Sequence, residues 1–321
     1  MNNIIPKINI SELMKNGLSS KRSNKIIKKI ETACLGSGFF EIEGHGLKSE
    51  VNSILKVCQN FFNLPLNKKL KLATKKWNKK NSNIYRGYFP SHVNGKEGLD
   101  IGDPKLDKSM VNIILKDKFE CLNLKKVLDS KSILIIENYF DRLFDLGEIL
   151  FGAIVKSFNA DTKIVRKAFL RPKTLTTLRF NYYPKQTVPV EISSQDGKQL
   201  GCETHVDSGF MTILYQDQKG GLQVQNRHNL KWYDVPFNKN SFIVNTGLGL
   251  QYITNGKFMA TNHRVLFNNA KRISIPFFFE PSYDFHLNPN LLKIKNKPLY
   301  KIDNYEIFLE QSLKKFIEYK R

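Results

Sequence analysis

Apolar residues recur along this chain with two different periods, and the change of period divides it. Over 131–159, Leu134, Ile135, Tyr139, Leu143, Leu146, Leu150 and Ile154 return at helical spacing, which predicts one long amphipathic helix. Shorter helical patterns occupy 20–35, 48–62 and 67–73, with a strand-like run at 38–43 and a short edge strand over 6–10. From Thr174 onward the runs become short and strand-like, at 175–181, 210–215, 222–225, 241–246, 257–267 and 272–279, with Gly and Asn clustered between them. The stretch 304–319 returns to helical spacing through Ile307, Leu309, Leu313 and Phe316. Many short strands in series predict an α+β chain with a mainly β core, a double-stranded β-helix of the jelly-roll, cupin-like kind whose interior can hold a metal. Helices flank it at both ends. No internal repeat or low-complexity linker interrupts the pattern, so one domain is expected over 1–321. It would comprise a helical cap and long backing helix (1–173), the jelly-roll core (174–284) and a C-terminal tail and helix (285–321).

Composition changes this picture little. The chain has 321 residues, 41% of them hydrophobic, enough for a substantial core. Its net charge of +22 raises the question of nucleic acid or acidic membranes. The lysines are spread widely, with small clusters at 25–29, 68–80 and 293–297, and no arginine-rich tract interleaves with aromatics. Lysine, asparagine and isoleucine are abundant together, as an AT-rich coding sequence produces, so composition explains the charge before an anionic substrate does, and nucleic acid comes last. Cys34, Cys58, Cys121 and Cys202 lack CxxC spacing and read as reduced thiols of a cytoplasmic protein. No run is apolar enough to span a bilayer, and the start lacks the pattern of a secretory signal.

The candidate chemistry centres on His205, Asp207 and His263. Two imidazoles and a carboxylate can occupy one face of a six-coordinate ferrous ion and leave positions for a co-substrate and dioxygen. A strand sends residues i and i+2 to one side, so His205 and Asp207 can share a cavity. A histidine beside a solvated aspartate would match the same spacing. Arg272 and Ser274 alternate with Ile273 and Ile275 and so share a strand face. A guanidinium fork and a hydroxyl on an apolar strand suit a carboxylate. The alternative, a structural ion pair, would also offset the desolvation of that charge. Upstream, in Arg179-Phe180-Asn181-Tyr182-Tyr183-Pro184, Tyr183 can donate a hydrogen bond to an acid oxygen or simply end a core strand.

Together these motifs resemble the iron(II)/2-oxoglutarate-dependent dioxygenases, in the branch similar to isopenicillin N synthase. The resemblance covers nearly the whole chain. It includes Ser37-Gly38-Phe39-Phe40-Glu41-Ile42, Gly44-His45-Gly46, Phe61-Phe62-Asn63-Leu64-Pro65 and Tyr85-Arg86-Gly87-Tyr88-Phe89-Pro90, then Asn181-x-Tyr183-Pro184, His205-x-Asp207, His263 and Arg272-x-Ser274. It implies that His205, Asp207 and His263 ligate Fe(II), that Arg272 and Ser274 hold the distal carboxylate of 2-oxoglutarate, and that Tyr183 and Asn181 help position it. The implied reaction consumes O2, releases succinate and CO2, and hydroxylates, desaturates or cyclises a small molecule, as in biosynthesis. Arg86 resembles a residue that contacts a substrate carboxylate, and Tyr85 sits beside it. Phe210, Thr212, Tyr252 and Phe279 read as pocket walls or as core. The glycine-rich stretch 92–104 reads as a closing loop or a plain surface connection. The chain is expected to work as a monomer. Two alternatives stand beside this: an Fe(II) oxidase that uses the same triad without 2-oxoglutarate, and a basic binding protein that has lost chemistry.

Overall fold

The computed structural model describes residues 5–92, 95–106, 123–185 and 188–316. Its strands are β1 (Lys7–Asn9), β2 (Phe39–Glu43), β3 (Tyr88–Phe89), β4 (Glu97–Ile101), β5 (Thr177–Tyr183), β6 (Glu191–Ile192), β7 (Gln199–His205), β8 (Met211–Gln216), β9 (Leu222–Gln225), β10 (Trp232–Asp234), β11 (Phe242–Thr246), β12 (His263–Leu266) and β13 (Arg272–Phe279). An eight-stranded sheet runs β1-β2-β11-β8-β13-β5-β4-β3, and a five-stranded sheet runs β10-β9-β12-β7-β6. From β7 onward the chain crosses between them: β7 in the small sheet, β8 in the large, β9 and β10 in the small, β11 in the large, β12 in the small, β13 in the large. That alternation is the winding of a double-stranded β-helix, as the strand pattern predicts.

The helix Ser130–Ser157 backs the large sheet. Asp129 caps it by accepting a hydrogen bond from the Ser132 N–H (2.7 Å). Its buried stripe, including Phe140, Leu143, Phe144, Leu150, Phe151 and Ile154, packs on β8 and β13 and against the helices Lys21–Leu35 and Lys48–Phe62. Each fully buried Leu or Phe contributes about 1.5–3 kcal/mol. Gly147 sets the closeness of the fit: a Cβ there would stand 2.5 Å from Cδ2 of Phe279 on β13. The sequence pattern therefore marks the face, and one glycine sets the distance.

Several expectations change. The stretch 92–104 holds β4, an interior strand of the large sheet hydrogen-bonded to β5 on one side and β3 on the other, where a loop was expected. Its Glu, Gly and Asp are poor strand formers, and pairing on both edges overrides that preference. The N-terminal half is also more than a helical cap, since β1 to β4 all belong to the large sheet. Of 257–267 only β12 is strand, and the C-terminal helix is Tyr305–Leu313. The short helices Ser11–Asn16, Lys163–Ala168 and Leu248–Ile253 carry too few turns to leave a periodic signature. Cys121, positions 93–94 and the last residues of the 304–319 helix lie outside the described residues.

Candidate active site

The small sheet brings the two histidines together. His263 on β12 is the direct cross-strand partner of His205 at the end of β7. Asp207 follows where the chain leaves β7 for β8. The Asp207 Oδ1 atom lies 3.8 Å from His205 Nε2 and 3.6 Å from His263 Nε2. One donor atom from each residue falls within 4.8 Å of the others. Both Nδ1 atoms face backbone carbonyls, His205 to Glu203 O (2.8 Å) and His263 to Thr261 O (3.2 Å). A carbonyl only accepts, so Nδ1 carries the proton and the Nε2 lone pair is left for a metal. Burial, with the neighbouring His205, lowers His263 to about 4, so it stands neutral at neutral pH. Burial pushes the Asp207 carboxyl up, but His263, His205 and hydrogen bonds from Asn245 and Thr212 more than offset it, and the group lies below its ordinary range.

The large sheet orients that carboxylate. Asp207 Oδ2 accepts from Thr212 Oγ1 (2.5 Å) and Asn245 Nδ2 (2.8 Å). Thr212 on β8 and Asn245 on β11 are direct cross-strand partners. With Oδ2 held, Oδ1 faces the two imidazoles. Two imidazole nitrogens and one carboxylate oxygen on one side of a space suit Fe(II) with open positions.

From this point a cavity runs to a second polar group. Arg272 on β13 pairs across to Tyr183 on β5, and Ser274 pairs to Asn181. All four line the cavity that the triad also lines. Arg272 is buried, and its guanidinium lies 4.8 Å from the Tyr183 ring. Its Nε donates to Gly220 O (2.8 Å), while Nη1 has no hydrogen-bond partner among the described residues. A buried N–H of a guanidinium left unpaired is costly, and a ligand carboxylate satisfies it. Burial raises the Tyr183 hydroxyl, which stays a phenol able to donate.

A second lobe opens from the same centre, lined by Tyr85, Lys96, Arg179, Glu280 and, from the C-terminal segment, Leu309, Leu313 and Phe316. The Phe316 ring stands 6.1 Å from that of His205. Tyr85 lines this lobe, as expected, but Arg86, Phe210 and Tyr252 line neither lobe. Arg86 is fully buried behind the wall, donating to Thr176 O (3.1 Å) and Thr177 Oγ1 (3.4 Å). Phe210 is core, packed among Phe151, Phe169 and Tyr305. Tyr252 stacks on Tyr300. Sequence reasoning missed Lys96, Arg179, Asn245 and Glu280. Only Arg179 left a signal, since 179, 181 and 183 share one face of a strand.

This is the fold and centre of a non-haem iron oxygenase. The comparisons agree: residues 175–281 match the model of the 2OG-Fe(II) oxygenase superfamily, and residues 5–120 match that of the non-haem dioxygenase in morphine synthesis N-terminal region. The chain is 30% identical over 310 residues to a probable iron/ascorbate oxidoreductase of Dictyostelium discoideum, covering 87% of this chain and 82% of that one. It is 28% identical over 293 residues to isopenicillin N synthase of Streptomyces jumonjinensis, covering 89% and 87%. Among solved structures it resembles JOX2, determined with 2OG, Fe and JA, at a TM-score of 0.74 and 25% identity over 96% of this chain and 84% of that one. The chain belongs to the 2OG-Fe(II) oxygenase superfamily. It is a dioxygenase that oxidises a small-molecule substrate with Fe(II), 2-oxoglutarate and O2. Among the described residues no helix is long and apolar enough to cross a membrane.

Proposed function

We propose that His205, Asp207 and His263 ligate the Fe(II), and that Arg272 and Ser274, with Tyr183 and Asn181, hold the distal carboxylate of 2-oxoglutarate. The observation that carries this reading is the unpartnered Nη1 of buried Arg272 in the cavity that the His-Asp-His cluster also lines. Bound iron and 2-oxoglutarate supply the oxidising power, with the 2-oxo acid cleaved to succinate and CO2 as dioxygen is consumed. The chain's own residues do the positioning. Backbone carbonyls fix the histidine tautomers, Thr212 and Asn245 aim Asp207, and Arg272 anchors one end of the co-substrate so that its other end faces the metal. Leu309, Leu313 and Phe316 help exclude water from the substrate lobe.

The same geometry disfavours the oxidase alternative, in which an Arg-x-Ser pair takes the substrate's own carboxylate. Here that pair lines one lobe, and a second lobe remains for substrate. Arg86, the residue behind the expectation of a carboxylate-bearing substrate, is buried outside both lobes, with its Nη1 unpartnered among the described residues. We take the chain as one oxygenase domain acting as a cytoplasmic monomer. In support, β1 to β4 share a sheet with β5, one chain supplies the whole centre, and Cys34, Cys58 and Cys202 are free thiols. Arg272→Ala tests the proposal. Removing the charged partner of a buried carboxylate should cost about 2–5 kcal/mol, read as a raised KM for 2-oxoglutarate in a succinate-release assay. An unchanged KM would move the Arg272 site to another ligand.

A further inference from the structure

The substrate lobe contains a polar group that neither the metal nor the co-substrate uses. Glu280 follows β13 directly, is 3% exposed, and lines the lobe beside Tyr85, Thr177 and Ser208. Its Oε2 is buried without a hydrogen-bond partner among the described residues. Such an atom costs about 1–3 kcal/mol when left unsatisfied, and Arg86 Nη1 and the Tyr305 hydroxyl near it are likewise unpartnered among the described residues, so a polar molecule in the lobe would satisfy it.

We infer that Glu280 fixes the substrate, and that the group it takes is the uncharged donor–acceptor edge of a carboxamide, lactam or imide. This rests on the oxygenase reading, since it takes the lobe beside His205 and Asp207 as the substrate's place. Charged groups of both signs share the lobe, Lys96 and Arg179 with Glu203 and Asp207. Arg179 on β5 is engaged by Asp100 on β4 through two bonds (2.5 and 2.8 Å). The Arg86 guanidinium lies against Gly102 and donates through Nε and Nη2 to Thr177 and Thr176, and its Nη1 is buried without a partner among the described residues. Tyr85 and the Tyr305 hydroxyl of the C-terminal helix also stand near it. A substrate carboxylate could reach Arg179 only by displacing Asp100. Burial, opposed by Arg86 and the Tyr305 hydroxyl, raises Glu280 to about 8, so at neutral pH it is a carboxylic acid. A neutral acid presents an O–H donor beside a carbonyl acceptor, and the complement is a C=O beside an N–H. Phe278, Leu309 and Leu313 line the rest of the lobe with apolar surface for the remainder of such a molecule.

The test is calorimetric binding to the enzyme loaded with Fe(II) and 2-oxoglutarate under nitrogen. The probes are 2-pyridone and 2-quinolone, their N-methyl derivatives, benzylamine and benzoate. The lactams should bind about tenfold or more tightly than their N-methyl forms and than either ion, a difference of about 1.4 kcal/mol. Glu280→Gln keeps a donor and an acceptor and should retain the lactams. Glu280→Leu should lose them. Wild-type affinity should fall as pH rises through about 8, and the Gln variant should stay level. Lactams that fail to bind, N-methylation without effect, preference for benzylamine or benzoate, or a Gln variant as weak as Leu would overturn the inference. Binding of 2-oxoglutarate to the wild-type enzyme separates the two readings: if it binds and the lactams do not, only the role of Glu280 fails.

Discussion

Two buried residues that hold Asp207 decide how well this centre works. Asn245 and Thr212 hold one oxygen of Asp207 so that the other faces the histidines. Removing the Asn245 amide should leave the fold intact and weaken metal binding about 10–100-fold, measured by titrating apoprotein with Fe(II) anaerobically. Metal affinity equal to the wild type would show that Asp207 needs no such aim. Glu280 makes a second residue-scale claim, about stability. Its carboxyl keeps its proton to about 8 in the folded protein but ionises near its ordinary 4.5 when unfolded. The folded state therefore binds an extra proton between those values. The stability this contributes is full below the unfolded value and is lost as pH rises through the folded one. Thermal melts across that window should show the wild type losing more Tm than Glu280→Gln; parallel curves would contradict the raised carboxyl.

At the scale of elements, periodic segments were legible and pairing-dependent ones were not. The helix Lys48–Phe62 and the strands β9 and β13 match their sequence patterns end to end, because each buries a regular apolar face. β4 was hidden because its reason to be a strand lies in β5 and β3 and not in Glu97, Gly98 or Asp100. The site divides the same way. His205, Asp207, His263, Arg272 and Ser274 could be read because their types and spacing carry chemistry locally. Asn245 and Glu280 could not, since their roles exist only once β11 lies beside β8 and the end of β13 meets the C-terminal helix. The packing of the backing helix is likewise an element-scale property. Gly147→Ala should force the Ser130–Ser157 helix off Phe279 and cost about 1–3 kcal/mol, read as a lower denaturation midpoint with unchanged metal affinity. A variant as stable as the wild type would mean the helix can shift freely.

At the scale of the whole molecule, the fold gathers one cavity from distant parts of the chain: Lys96 from the N-terminal half, Arg179 and His205 from two sheets, and Phe316 from the C-terminal segment. Of the chain's basic residues, Lys96, Arg179 and Arg272 line it. Arg179 is paired with Asp100, Arg264 with Asp196, and half-buried Arg171 with Asp103 and Asp141, so several guanidiniums serve structure. The central claim is that this cavity holds ferrous iron on His205, Asp207 and His263 with 2-oxoglutarate beside it. The most direct measurement is an anaerobic titration of the apoprotein with Fe(II) and then 2-oxoglutarate, following the visible charge-transfer absorption that the co-substrate gives on ferrous iron. The account predicts a saturable band in the wild type and none in His205→Ala. Tight iron binding with no band on adding 2-oxoglutarate, or a band of full strength in His205→Ala, would contradict it.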